Sequence, residues 1–242
     1  LWHHNLRWRA VHIYLSNGQA AVTRRGRYGL VLSVKQFGVP YATRTLTPFS
    51  RRYPNMMLGY KFKTIQPSLL AGDGMMIIEP IDQTSDPRKS WIYSRNARRV
   101  LRIAYAAYEF PAPGSDGLST IDELGLYNGA PDRFEWELLG KKEMLIPYNS
   151  YRLHQSNLRY DDLLQPGHMR PDYARYELHR VWVVEGRLRE GAAHVYSRRR
   201  FYVDEDSWQI AASDSYDLEG NFWRTAEAHS VNYYEVPVHW HT

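Results

Sequence analysis

The side chains best suited to chemistry are ten His, 26 carboxylates and a basic set of 31 Lys and Arg. His239 and His241 would project to one face of an extended strand, as two metal ligands do, but no recognisable third ligand lies near them, and His3-His4 fares no better. The acidic groups Asp204-Glu205-Asp206 and Asp214, Asp217, Glu219 lack the twelve-residue spacing, central Gly and closing Glu of a calcium loop, and suit turns between strands. No Gly-x-Ser-x-Gly elbow occurs, and Ser115-Asp116-Gly117 has the composition of a turn. Gly72-Asp73-Gly74 lacks the Lys-Ser/Thr of a phosphate loop and suits the entry to a strand. Cysteine is absent, which excludes thiol and disulfide chemistry. These patterns predict no catalytic residue, no metal and no cofactor.

The net charge of +5 invites a polyanion as partner. In a strand, however, Arg198 and Arg200 face opposite to Arg199, so the Arg198-Arg199-Arg200 run forms no single patch, and Arg24-Arg25-Gly26-Arg27 is short. Nucleic acid is therefore not an expected partner. Anionic head groups suit Arg better, although the interleaved acids also allow a surface of paired charges.

The elements that must position these groups are mostly strands. An aromatic share of 14%, with 19 Tyr and 8 Trp, favours sheets and amphipathic walls. No stretch approaches the roughly 18 apolar residues of a membrane span, and Leu1 follows no basic, apolar signal segment, so the start reads as mature or truncated. Leu58, Tyr60 and Phe62 alternate with Gly59, Lys61 and Lys63, predicting a strand with one wet face. Met75-Met76-Ile77-Ile78 predicts a strand covered on both sides. Trp91-Ile92-Tyr93 and Val100-Leu101-Arg102-Ile103 flank a polar turn and predict a hairpin. Ser119 as N-cap, with Asp122 and Glu123 in the first turn, predicts a short helix through Leu126.

Strands predicted over 175–189, 194–203 and 208–216, and through Phe222 and Trp223, are joined by tight turns and make an up-and-down antiparallel meander. The Gly129-Ala130-Pro131-Asp132-Arg133 turn suits architecture rather than catalysis. Residues 149–173 show no period and predict a covering loop with one helical turn near Asp161-Asp162-Leu163-Leu164.

Several strings carry a family resemblance: Trp91-Ile92-Tyr93-Ser94-Arg95-Asn96, Tyr127-Asn128-Gly129-Ala130-Pro131-Asp132-Arg133-Phe134-Glu135-Trp136, Arg175-Tyr176-Glu177-Leu178-His179-Arg180-Val181-Trp182, and Arg200-Phe201-Tyr202-Val203-Asp204-Glu205-Asp206-Ser207-Trp208. Together, and most densely from Trp91 to Arg224, they resemble the domain of unknown function family 1329, associated with outer-membrane lipoprotein sorting in Gram-negative bacteria. The resemblance implies a mainly β fold like the lipoprotein carriers LolA and LolB. Such a fold is a strongly bent antiparallel sheet forming an unclosed half barrel, with a few short helices on its concave apolar side. It also implies one such domain over residues 1–242, lacking upstream residues of the full-length protein. No catalytic or ligand residue carries over with it, because fold does not fix function.

A half barrel with an apolar interior predicts a hydrophobic cargo: a lipid, an acyl chain or a lipid-modified protein. The side chains expected to line one concave face are Phe62, Met76, Ile78, Trp91, Tyr93, Trp182 and Trp208. The predicted role is a periplasmic carrier or adaptor, associated with the inner face of the outer membrane, not spanning a membrane, and meeting an envelope transporter or outer-membrane protein. The alternatives are a non-catalytic interaction module, using an exposed sheet edge, and a lipid-modifying enzyme.

Overall fold

The alternation at Leu58–Phe62 becomes part of β3, the centre of a sheet whose neighbours in space are neighbours in sequence. The protein is described by a computed structural model that covers residues 1–42, 51–103 and 108–241. These fall into two compact units. One comprises Arg9–Thr23 and Arg27–Ile121, the other Leu1–Trp8, Arg24–Gly26 and Asp122–Thr242.

The first unit is a six-stranded antiparallel sheet in the order β1-β2-β3-β4-β5-β6. Its strands are β1 (His12–Val22), β2 (Tyr28–Gly38), β3 (Met56–Gln66), β4 (Gly74–Pro80), β5 (Lys89–Ser94) and β6 (Arg99–Ile103). The predicted β5–β6 hairpin is present, and Asp73 anchors its turn by accepting the backbone N–H of Arg95 at 2.8 Å. The expectation that Met75–Ile78 is covered on both sides is corrected. Met75 and Ile77 are buried, whereas Met76 on the opposite face remains 42% exposed, beside its register partners Lys61 and Trp91. Apolar identity on both faces did not recruit a second covering layer here. Glu79 closes one end of the buried face in an ion pair with Arg88 at 2.6 Å, both side chains out of solvent.

The second unit begins with a five-residue helix, α1 (Trp2–Leu6). Its main sheet runs β13-β12-β11-β10-β7. The strands are β7 (Phe134–Pro147), β10 (Tyr176–Leu188), β11 (Arg198–Asp204), β12 (Ile210–Tyr216) and β13 (Phe222–Glu227). The predicted meander stands, entirely antiparallel. Two small ribbons accompany it: β8 (Leu164–Gln165) with β9 (His168–Met169), and β14 (Ser230–Tyr233) with β15 (Val238–His241). The helical turn expected in the 149–173 loop is α2 (Tyr160–Leu163). Arg133 serves the turn before β7 by donating to the Ala193 carbonyl at 2.8 Å, and the Trp136 indole donates to the Pro131 carbonyl at 2.7 Å.

Alternation along Arg198–Arg200 decides the core of this unit. Arg199 points inward and is fully buried, whereas Arg198 and Arg200 turn the other way to reach the buried carboxylate of Glu185. The Arg199 guanidinium donates to Asp122 Oδ2 at 2.6 Å and to the Leu126 carbonyl at 3.2 Å, with Glu123 Oε1 at 3.5 Å. Burial opposes its charge, but Asp122 and Glu123 outweigh that and hold its pKa above the ordinary value. The rings of Tyr127, Tyr196 and Phe201 pack around it, their centroids 5.0–5.4 Å away.

That demand corrects two expectations. The predicted helix at 119–126 is instead a kinked pair of 3₁₀ turns over Ile121–Leu126, with Leu124 extended and Gly125 at φ +66°. Asp122 and Glu123 face Arg199 and Tyr196 rather than capping a helix, since a buried guanidinium gains more from a carboxylate than does a helix end in water. The strand predicted from His194 starts at Arg198, because Tyr196 buries its ring and donates its hydroxyl to Glu123 at 3.1 Å.

Removing one partner of this pair leaves an uncompensated buried charge. Arg199→Met and Asp122→Asn are each expected to cost about 3–5 kcal/mol, measured by urea denaturation, whereas Arg198→Met should cost under about 1 kcal/mol. Similar losses for Arg198 and Arg199 variants would contradict the assigned facing.

Candidate functional site

Antiparallel register places directly paired residues on one face of a sheet, so the pairings sort the predicted lining residues. Across β4 and β5, Met76 pairs with Trp91, Gly74 with Tyr93 and Ile78 with Lys89. Met76, Ile78, Trp91 and Tyr93 therefore share a face, and it is the open one, with Tyr93 41% exposed. Phe62 pairs with Met75, and Tyr60 with Ile77, so Phe62 lies on the opposite, covered face. The five do not line one surface.

The covered face has features that sequence reading missed. Phe37 is buried and stacks on Tyr60 with centroids 4.9 Å apart, and Tyr60 lies 5.9 Å from Phe62. Burial raises the Tyr60 hydroxyl's pKa against the lowering effect of Arg88. Pairing extends the row through Phe62 to Lys35 and through Phe37 to Ile13. The signal for this row was present in Ile13-x-Leu15 and Lys35-x-Phe37, but Asn17, Gln19 and Ser33 continue the same face and interrupt its apolar period.

In the other unit, Trp182 and Trp208 both pack against the core cluster built on Phe201, Val203 and Ile210. Neither is an open wall. Lys141 sits 4.2 Å from the Trp182 ring centroid, and His3 stacks on Trp208 at 4.2 Å. Within the six-stranded sheet the expected lining is thus divided between two opposite faces, while Trp182 and Trp208 belong to the core of the other unit.

His179, Asp204 and Asp206 each present a ligand atom within 4.8 Å of the other two, a spacing a metal ion could use. The protein also closes this cluster with its own hydrogen bonds. His179 Nδ1 lies 2.9 Å from Asp204 Oδ1, and Asp204 Oδ2 accepts the backbone N–H of Ser207 at 2.9 Å. The Ser207 hydroxyl also donates to Asp204, not to His179, so no hydroxyl–imidazole bond of the nucleophile–base kind forms there. The Tyr148 ring lies tilted beside His179, centroids 4.4 Å apart, and burial, with the Asp204 charge, pushes its hydroxyl pKa up to about 12. His239 follows, 5.5 Å from the Tyr148 ring and bonded through Nδ1 to Asn232 Oδ1 at 2.8 Å. Burial, with Arg7, lowers its pKa to about 4.

The geometry defines a class: mainly β proteins built from unclosed antiparallel sheets with a few short helices. Residues 1–242 match the family model described as "Protein of unknown function (DUF1329)", and the chain belongs to that family. It is 40% identical over 241 residues to an uncharacterized protein of Pseudomonas aeruginosa, of which it spans 52% of the length. Among solved structures it is similar in fold to a domain from Vibrio parahaemolyticus named for outer-membrane lipoprotein sorting. That match has a TM-score of 0.57 and 12% identity, and covers 92% of this chain and 73% of the other. It is also similar to a DUF1329 family protein from Desulfovibrio piger, with a TM-score of 0.50, 13% identity, and 89% and 70% covered.

The shift at His239 fixes a pH dependence. Between its ordinary value of about 6.5 and about 4, the unfolded chain binds a proton that the folded chain does not, so folding weakens as pH falls through that window. Thermal melts of the wild type should lose stability over that range, and His239→Asn should lose less; equal slopes would contradict the buried neutral imidazole.

Proposed function

We propose that this protein is a non-catalytic carrier or adaptor of the periplasm. In this reading it holds an acyl-chain ligand against the Phe62 face of the six-stranded sheet and hands it to an envelope transporter or outer-membrane protein. The observation that carries the reading is the row Phe37–Tyr60–Phe62, flanked by Met75 and Ile77, on a sheet that does not close on itself. Aromatic and Met side chains offer an adaptable apolar surface, and Tyr60, Phe62 and Lys35 along it are only half-buried. The fold shared with a domain named for lipoprotein sorting supports the same reading. Both units are taken as parts of one carrier-like domain.

A second reading has its own support. Met76, Trp91, Tyr93 and Val100 share the open face and leave apolar surface in water, which favours contact with a protein partner there.

Mass spectrometry of native protein after solvent extraction, with displacement of 1-aminoanthracene by oleate, separates the two. Phe62→Glu is expected to weaken oleate binding about tenfold or more, because it places a charge in the middle of the aromatic row, where Phe62 is half-buried, while Met76→Glu leaves it unchanged. The opposite pattern, or no bound lipid and no displacement, would refute the carrier role of this face.

A further inference from the structure

Lys35 sits in the aromatic row, directly across from Phe62 in register and two residues from Phe37 on the same strand and face. It is half-buried, and burial lowers its pKa without an opposing carboxylate. Among the described residues no acid lies within ion-pair distance of its amine. Glu79, the acid on this face, is engaged by Arg88. A cation on an apolar surface without a counter-charge is unfavourable unless it reaches water or an anion arrives from outside.

We propose that Lys35 is the head-group anchor of the ligand site, and that the ligand is an acyl chain ending in a carboxylate, the chain lying along Phe62 and Phe37. This rests on the carrier reading above. A lone ammonium is a compact point charge, suited to a single negative charge. A phosphate carries a second charge that calls for a second cation, and Arg88 is already committed to Glu79.

The test compares oleate, oleyl alcohol and oleoyl lysophosphatidate as displacers of 1-aminoanthracene from the full chain, in the wild type, Lys35→Met and Lys35→Arg, with thermal melts to confirm that each variant folds. The wild type is expected to favour oleate over oleyl alcohol about tenfold. Lys35→Met should erase that preference while leaving oleyl alcohol affinity intact, and Lys35→Arg should keep it. If both chains bind but oleate gains nothing, or keeps its gain in Lys35→Met, the anchor is refuted and the carrier reading survives. Tighter binding of lysophosphatidate than of oleate would refute the carboxylate. Failure of all three to bind would refute the carrier reading itself, and the anchor with it.

Discussion

A guanidinium with no access to water must be neutralised by the protein, and the unit containing Arg199 is organised around that requirement. Asp122 meets the charge directly, and the Leu126 carbonyl and Glu123 complete its surroundings. To deliver all three, the chain at 121–126 abandons regular helix and turns through a left-handed Gly125. Tyr127 and Tyr196 then pack against the resulting ion cluster. The other unit solves a smaller version of the same problem with Glu79 and Arg88. Such pairs add little net stability over a well-packed apolar substitute, but they penalise every arrangement that leaves one partner alone. Their role here is to fix which segment meets which strand.

Much of the fold was legible because local patterns carried it. The meander needed only alternation and tight turns, and the facing of Arg198–Arg200 followed from a period of two. Three long strands, β1, β2 and β7, were not legible. In β1 the inward face continues through Asn17 and Gln19, so polarity does not alternate. In β7 a register shift opposite Val183 and Val184 leaves Leu139 unpaired, and the bulge exchanges the faces midway along the strand. The helix expected at 119–126 failed because its acidic first turn answered a residue 77 positions away, which no local window contains.

The candidate site was legible only within segments. Spacing put Met76 with Ile78 and Trp91 with Tyr93, and the sheet confirms that these share a face. Whether Phe62 joined them depended on the register across the β3–β4 turn, which is set by turn geometry rather than by the flanking strands. The covered face revealed by that register is more mixed than a purely apolar interior. Its aromatic row lies beside Lys35, Asn17 and Ser33, a combination suited to a ligand with both a chain and a head.

The N-terminal helix has a consequence for how the chain assembles. His4 is fully buried, and its Nδ1 accepts the backbone N–H of Ile210 at 3.0 Å, across 206 residues of sequence. The six-stranded sheet, by contrast, joins each strand only to the next along the chain, so its closure entropy is small and it can form as its residues become available. During synthesis, the segment carrying His4 is made before the six-stranded sheet and yet is among the last to find its partner. Until Ile210 has been made, the imidazole of His4 stays in water, and the unit that contains α1 cannot complete its core however early its first residues emerge.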